Sequence, residues 1–282
     1  LGKYSRSVSQ LKSVTRCGEA FRLERLSFPK TPRRPAAWTV LGIALHEVFP
    51  EWEIGDRKDD PVQMFDVAFD KILAEEQQRQ PDQEMWQKAP NAKTVDNDIK
   101  NYKKRGMTKD VPLYQQRCVE AEWEILHLPD GDRALELEFE LELGEVTVKG
   151  ALDRVLWFPG KKMAAMEDLK SGSPDDEVDT RQLGLYSLAA AECYGLDISH
   201  GRYWYTKLDR PGDWVDLSRY SRDYLTQEYG RLDELIDRNL LLPNPGKHCG
   251  LCGSRPWCSE LGWLKPGEGL FGPNEETATA TN

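Results

Sequence analysis

Four cysteines constrain this 282-residue chain more than any other feature. Cys249, Cys252 and Cys258 stand near its end, spaced C-x2-C-x5-C, and Cys17 stands near its start. One centre built from all four has to bring the two ends of the chain together. Four thiolates suit either Zn²⁺ or an iron–sulfur cluster, and the spacing does not choose between them. Disulfides are a third reading. No apolar core of a signal peptide follows the basic N-terminal residues, and no apolar run is long enough to span a bilayer. The expected compartment is therefore the cytoplasm, where thiols stay reduced and a metal is favoured over disulfides. Cys118 and Cys193 have apolar neighbours and read as buried free thiols.

The chain carries a net charge of −10, with 30% charged and 39% hydrophobic residues. Nine Trp and ten Tyr argue against wholesale disorder. The charge is unevenly spread. Residues 1–35 hold nine basic side chains against only Glu19 and Glu24, a net of +7 that leaves −17 for the remainder. A second basic run is Lys100, Lys103, Lys104, Arg105 and Lys109. Such runs form either solvated helix faces or a groove that tracks phosphates.

Periodicity divides the chain into five stretches. Residues 1–60 read as N-terminal helices, one from Ser7 or Ser9 to about Leu26 through Cys17, and one from Trp38 to about Trp52 with His46 on it. Residues 61–116 read as a helical insertion. Residues 117–242 alternate as a sheet would: strands at 118–128, 134–143, 145–158 and 163–170, a helix at 178–194, strands at 200–207 and 213–217, and a long helix at 220–242. Residues 243–270 form a loop-rich cysteine module, and 271–282 a tail with no core-forming residues. The expected fold is α/β: a mixed central sheet flanked by helices, with an N-terminal helical section and a C-terminal cysteine module.

Within the strands, Gly150-Ala-Leu-Asp153 is followed by a turn and then Asp168-Leu-Lys170. Side chains alternate along a strand, so Asp168 and Lys170 share one face. Two carboxylates and a neighbouring ammonium are what metal-dependent phosphodiester cleavage needs. Mg²⁺ takes oxygen ligands, here Asp153, Asp168 and the Leu169 carbonyl, and a bound water has to lose a proton. Lys170 would orient that water. Gln182 and Tyr186 lie four apart on the following helix and share a face. His46 is a further candidate ligand. The competing reading is that these are ordinary hairpin, surface and core residues.

Taken together, Ser9-Gln-Leu…Cys17, Gly42-x-x-x-His46, Gly150-x-x-Asp153, Asp168-Leu-Lys170, Gln182-x-x-x-Tyr186 and Cys249-x2-Cys252-x5-Cys258 resemble, in order, the RecB-type branch of the PD-(D/E)XK nucleases. More narrowly they resemble its CRISPR-associated and phage-encoded exonucleases with a four-cysteine iron–sulfur cluster. The resemblance runs from about residue 7 to about residue 262. It implies a restriction-endonuclease-like sheet, an active site of His46, Asp153, Asp168 and Lys170, a Mg²⁺ or Mn²⁺ ion, and Gln182 and Tyr186 along the DNA path. It also implies a [4Fe–4S] cluster on Cys17, Cys249, Cys252 and Cys258. The expected substrate is single-stranded or frayed DNA, with recombination or CRISPR-type proteins as partners and no membrane. Glu120 resembles an acidic residue that some relatives carry on the preceding strand. Cys17 is followed by Gly18 where relatives often have proline. A non-catalytic DNA-binding protein with a zinc or iron–sulfur site is the alternative, and an RNA-processing nuclease is a third reading.

Overall fold

The computed structural model describes residues 4–172, 178–208 and 211–258. The chain falls into two compact units. One holds Leu1–Val8 and Pro35–Gly230; the other holds Ser9–Arg34 and Arg231–Asn282. The elements run β1 (Tyr4–Ser7), α1 (Val8–Arg16), α2 (Gly18–Phe21), α3 (Ala37–Ile54), α4 (Pro61–Arg79), α5 (Val95–Arg105), α6 (Val111–Val119), β2 (Glu124–Ile125), β3 (Leu135–Leu143), β4 (Val146–Phe158), β5 (Met163–Lys170), α7 (Arg181–Tyr194), β6 (His200–Tyr205), β7 (Val215–Asp216) and α8 (Arg222–Asp237).

The first unit is built on one mixed sheet, ordered β1-β4-β5-β6-β7, with β2 and β3 also on β4. β4 is its spine. Along one edge it pairs antiparallel with β3 and then β2. Its other edge is shared. β1 lies parallel against Val146–Lys149, and β5 lies antiparallel against Arg154–Phe158. The edge therefore changes partner across residues 150–153, a fork that ends at Asp153. Gly150 sits in it for a steric reason. A Cβ there would come within 2.6 Å of Val8 and 2.9 Å of Phe139.

One sheet face is covered by α3–α6. Their buried core includes Val40, Leu41, Leu45, Phe49, Phe65, Phe69 and Tyr114, together with Leu169 of β5 and Trp204 of β6. The alternation of β5 places Glu167 on this apolar side, where it is fully buried. Three guanidiniums meet it. Arg117 is bidentate at 2.7 and 2.5 Å, Arg154 lies at 2.7 Å and Arg202 at 2.6 Å. Burial favours the neutral acid, but Arg154, Arg117 and Arg202 outweigh it and hold Glu167 down to about 2. Surplus positive charge is absorbed by aromatic faces. Arg117 and Arg154 lie 4.8 and 5.1 Å from the Trp204 ring, and Arg202 lies 4.1 Å from Trp214.

Several sequence expectations are corrected. Residues 118–128 are not a strand. Helix α6 runs on to Val119, and only Glu124–Ile125 pair as β2. Cys118 is buried as expected, but on a helix, with its thiol donating to Glu53. Cys193 is exposed rather than buried. The first helix is preceded by β1 and interrupted at Cys17, and α8 stops at Asp237 rather than Leu242. The 100–109 basic run serves structure in large part. Lys103 pairs with Asp66 and Asp70, Arg105 with Asp110, and Lys109 donates to the Lys207 carbonyl. Residues 271–282 lie outside those described.

In the second unit, the segment after α8 packs against the chain around Cys17. A Cβ on Gly18 would come within 2.7 Å of the Leu241 backbone. Asn244 donates its side-chain amide to the Arg16 carbonyl at 3.0 Å and its backbone N–H to the Cys17 sulfur at 3.4 Å. Gly18 is thus required by backbone-to-backbone approach. Stretches of chain more than two hundred residues apart in sequence thus meet within this unit.

Candidate active site

The fork in β4 is where the chemistry-bearing side chains converge. Beyond Arg154, β5 diverges from β4, and the Leu169 N–H lacks a ladder partner on that strand. The Asp153 carboxylate takes it instead, with Oδ2 accepting at 2.6 Å. The same oxygen lies 3.8 Å from His46 Nδ1. His46 hangs from α3, one turn after Gly42, whose missing side chain leaves room for Ser171 just past β5. His46 Nε2 lies 3.2 Å from the Leu169 carbonyl, an acceptor, so Nε2 carries the proton. That leaves Nδ1 facing Asp153 and, at 3.4 Å, Glu136.

Glu136 is the site residue that sequence reasoning missed. It follows Leu135 at the start of β3, opposite Asp153, at the step where the β3–β4 register shows no pair. Its φ of +46° is unusual for a residue with a side chain. Ligand atoms of His46, Glu136 and Asp153 lie within 4.8 Å of one another, the one such metal-capable group among the described residues. Glu120, the acidic residue expected from relatives, is elsewhere. It caps α6, exposed, and accepts from Gln116.

Asp168 and Lys170 share a face, as alternation requires. Lys170 Nζ lies 2.5 Å from Asp168 Oδ2 and donates to Gln182 Oε1 at 3.2 Å. Gln182 Nε2 donates to Asp168 Oδ1 at 2.9 Å and to the Tyr186 hydroxyl at 2.8 Å. Helix α7 therefore fixes both ends of the Asp168–Lys170 pair through one amide. The structure brings together His46, Asp153, Asp168, Lys170, Gln182 and Tyr186. The Leu169 carbonyl is at the site too, engaged by His46.

The electrostatics are unbalanced. Burial, then Asp153, pushes Asp168 up to about 7 against the pull of Lys170 and His46. Burial raises Asp153 as well. Burial opposes charge on His46, but Glu136, Asp153 and Asp168 win and raise it. Asp168 Oδ2 is ion-paired to Lys170 yet accepts no well-aligned hydrogen bond. Three carboxylates and an imidazole nitrogen facing two of them call for additional positive charge, as a proton or a cation. The donor set, rich in oxygen with one imidazole, fits a divalent ion such as Mg²⁺ or Mn²⁺.

The cysteines sit differently. Cys249 lies within the short 3-10 turn Lys247–Leu251, Cys252 directly follows it, and Cys258 directly follows a second turn, Arg255–Trp257. Backbone N–H groups of Asn244, Gly246 and Ser254 point at the sulfurs of Cys17, Cys249 and Cys252. Burial, then Glu24, Cys17 and Cys249, raises the Cys252 thiol against the Ser254 N–H. All six cysteines are free, and the four sulfurs form no closed single-ion group among the described residues.

This chain belongs to the PD-(D/E)XK nuclease superfamily, whose profile matches residues 5–259. It is 31% identical over 261 residues to the Gene 69 protein of Mycobacterium phage D29, covering 88% of this chain and 93% of that protein. It is 27% identical over 278 residues to the Gene 69 protein of Mycobacterium phage L5, with the same coverage. Among solved structures, the crystal structure of SSO0001 aligns with a TM-score of 0.36 and 13% identity, over 89% of this chain and 95% of that one. No helix of the described residues is long and apolar enough to cross a membrane.

Asp168 carries a testable sign. A carboxyl raised from 3.8 to about 7 on folding binds more protons folded than unfolded. Metal-free protein therefore loses stability as pH rises from about 4 to about 7. With a chelator present, Asp168→Asn is expected to be more stable than wild type at pH 8, by roughly a few kcal/mol, with the gap closing below pH 5. Urea melts at the two pH values check this, and a gap independent of pH would contradict the assigned environment.

Proposed function

We propose that this protein is a Mg²⁺- or Mn²⁺-dependent deoxyribonuclease that degrades DNA from single-stranded or frayed ends, with a [4Fe–4S] cluster on Cys17, Cys249, Cys252 and Cys258. The observation that carries the catalytic part is the convergence of His46, Glu136, Asp153, Asp168 and Lys170 at the β4 fork. An intact set of this kind speaks against a binding protein that has lost its chemistry.

Asp153, Asp168, Glu136 and His46 Nδ1 would hold the ion. When bound, a divalent cation neutralises phosphate charge and makes water a stronger acid. The rest falls to the chain. Lys170, whose side chain is partly exposed, donates from Nζ to the attacking water or the phosphate. Gln182 keeps that ammonium and the Asp168 carboxylate in register, so neither has to reorient as substrate arrives. Burial and the nearby Asp168 and Asp153 keep the Tyr186 hydroxyl protonated, available as a donor along the strand path. Glu167, anchored behind β5, keeps the strand from rotating these groups away.

Full-length protein is expected to degrade end-labelled single-stranded DNA with Mn²⁺, and Asp168→Ala to lose at least about 1000-fold in rate. Equal degradation by both would remove Asp168 from the mechanism. RNA and duplex substrates run in parallel separate the RNA-processing reading, and labels at either end give polarity.

The cluster reading is supported by three backbone N–H groups aimed at cysteine sulfurs, the kind of donor that steadies metal-bound thiolates. It is also supported by the packing of Gly18 against the Leu241 backbone, which brings the Cys17 stretch beside the segment that leads into the other three cysteines. Anaerobically purified protein is expected to be brown, and Cys249→Ala to lower soluble yield and melting temperature more than Asp168→Ala does. Colourless, zinc-loaded protein, or equal behaviour of the two variants, would contradict a structural iron–sulfur centre.

A further inference from the structure

The second unit contains a loop that the site at the fork does not use. Residues 25–34 carry Arg25, Lys30, Arg33 and Arg34 and no carboxylate, in a chain whose net charge is −10. At the tip is Phe28, 98% exposed, beside Leu26 at 41%. A single exposed apolar side chain is ordinary on a protein surface. This one differs in how it is presented. Ser27 closes the preceding turn by donating its N–H to the Arg22 carbonyl at 2.9 Å. The Ser27 and Thr31 hydroxyls both return to the Leu23 carbonyl, at 2.6 and 2.9 Å. Those two bonds bracket Phe28 and draw both sides of the tip onto one point of the helix end. Pro29, Pro32 and Pro35 stiffen the remainder, since each ring fixes its backbone φ. The aromatic ring is thus held outward on a pinned, rigid loop, and cations lie on both sides of it in sequence.

We propose that Phe28 is a stacking platform for an unpaired base of single-stranded DNA, with Arg25 and Lys30 contacting the flanking phosphates. An aromatic face and a cationic rim are the two components of sequence-independent single-strand binding. A duplex interior offers no free base face, so the platform selects unpaired strands or frayed ends. A protein partner is disfavoured by the same features. The loop's exposed apolar side chains are one ring and part of a leucine, and every charged side chain it carries is basic. The proposal rests on the nucleic-acid reading above and deepens it by naming the contact that would select the unpaired strand.

The experiment is a binding titration of fluorescein-labelled dT20 and of a blunt hairpin duplex. It uses the full-length chain carrying Asp168→Ala, so that the strand is held without being cut. Adding Phe28→Ala is expected to weaken dT20 binding about 10- to 100-fold, with little effect on the duplex, and Phe28→Trp to restore it. The salt slope should be unchanged by Phe28→Ala and reduced by about one by Lys30→Ala. Ultraviolet irradiation of the dT20 complex should cross-link Phe28. A side chain that exposed makes no folding contribution, and equal thermal melts for the Phe28 variants check this. Equal dT20 affinity with and without the ring, or cross-links only elsewhere, would overturn the platform while leaving the nuclease reading standing. Failure of every version to bind any DNA would overturn both.

Discussion

Everything at the site depends on how β5 is held. One face of that strand carries Glu167, fully buried beneath Arg117, Arg154 and Arg202. The other carries Asp168 and Lys170. Removing one member of a buried ion cluster of this kind leaves unpaired charge, at a cost of about 3–5 kcal/mol. The cluster joins α6, β4, β5 and β6, so it fixes the rotation of β5 about its own axis. A strand that rolled would turn Asp168 and Lys170 off the site. The second constraint is the fork. Because β1 and β5 share an edge of β4, there is a gap in which Asp153 substitutes for a backbone acceptor. One carboxylate thus ends the ladder, orients the next strand and faces His46.

The sequence made part of this legible, for physical reasons. Strand alternation is rigid, so the shared face of Asp168 and Lys170 followed from spacing alone. Helical periodicity did the same for Gln182 and Tyr186, and both pairs meet. Glu136 was hidden because Glu136, Glu138, Glu140 and Glu142 occupy equivalent alternate positions of one strand. Only the interrupted pairing opposite Asp153, with its positive φ, sets the first apart, and no local pattern encodes that. Residues 118–128 alternate like a strand, yet the burial of Tyr114 and Cys118 against Glu53 extends the preceding helix. Tertiary packing overrode a weak local signal. Gly18 read as a departure from relatives. Its cause is the backbone of Leu241 lying against it, a contact between residues more than two hundred apart.

Charge tells a similar story. The overall −10 is a poor guide, because acidic residues are dispersed while the first 35 residues are basic. The 100–109 run looked equally suited to phosphate but is largely spent on Asp66, Asp70, Asp110 and a backbone carbonyl. Basic residues near nucleic acid have to be distinguished from basic residues that hold helices together, and only the partners distinguish them.

The central proposal is that Asp153, Asp168, Glu136 and His46 hold one divalent ion between them. The most direct measurement is an anomalous difference map from crystals soaked in Mn²⁺. The account predicts one dominant peak within about 2.5 Å of carboxylate oxygens of both Asp153 and Asp168. A protein that shows strong manganese peaks elsewhere and none between these two residues would contradict it.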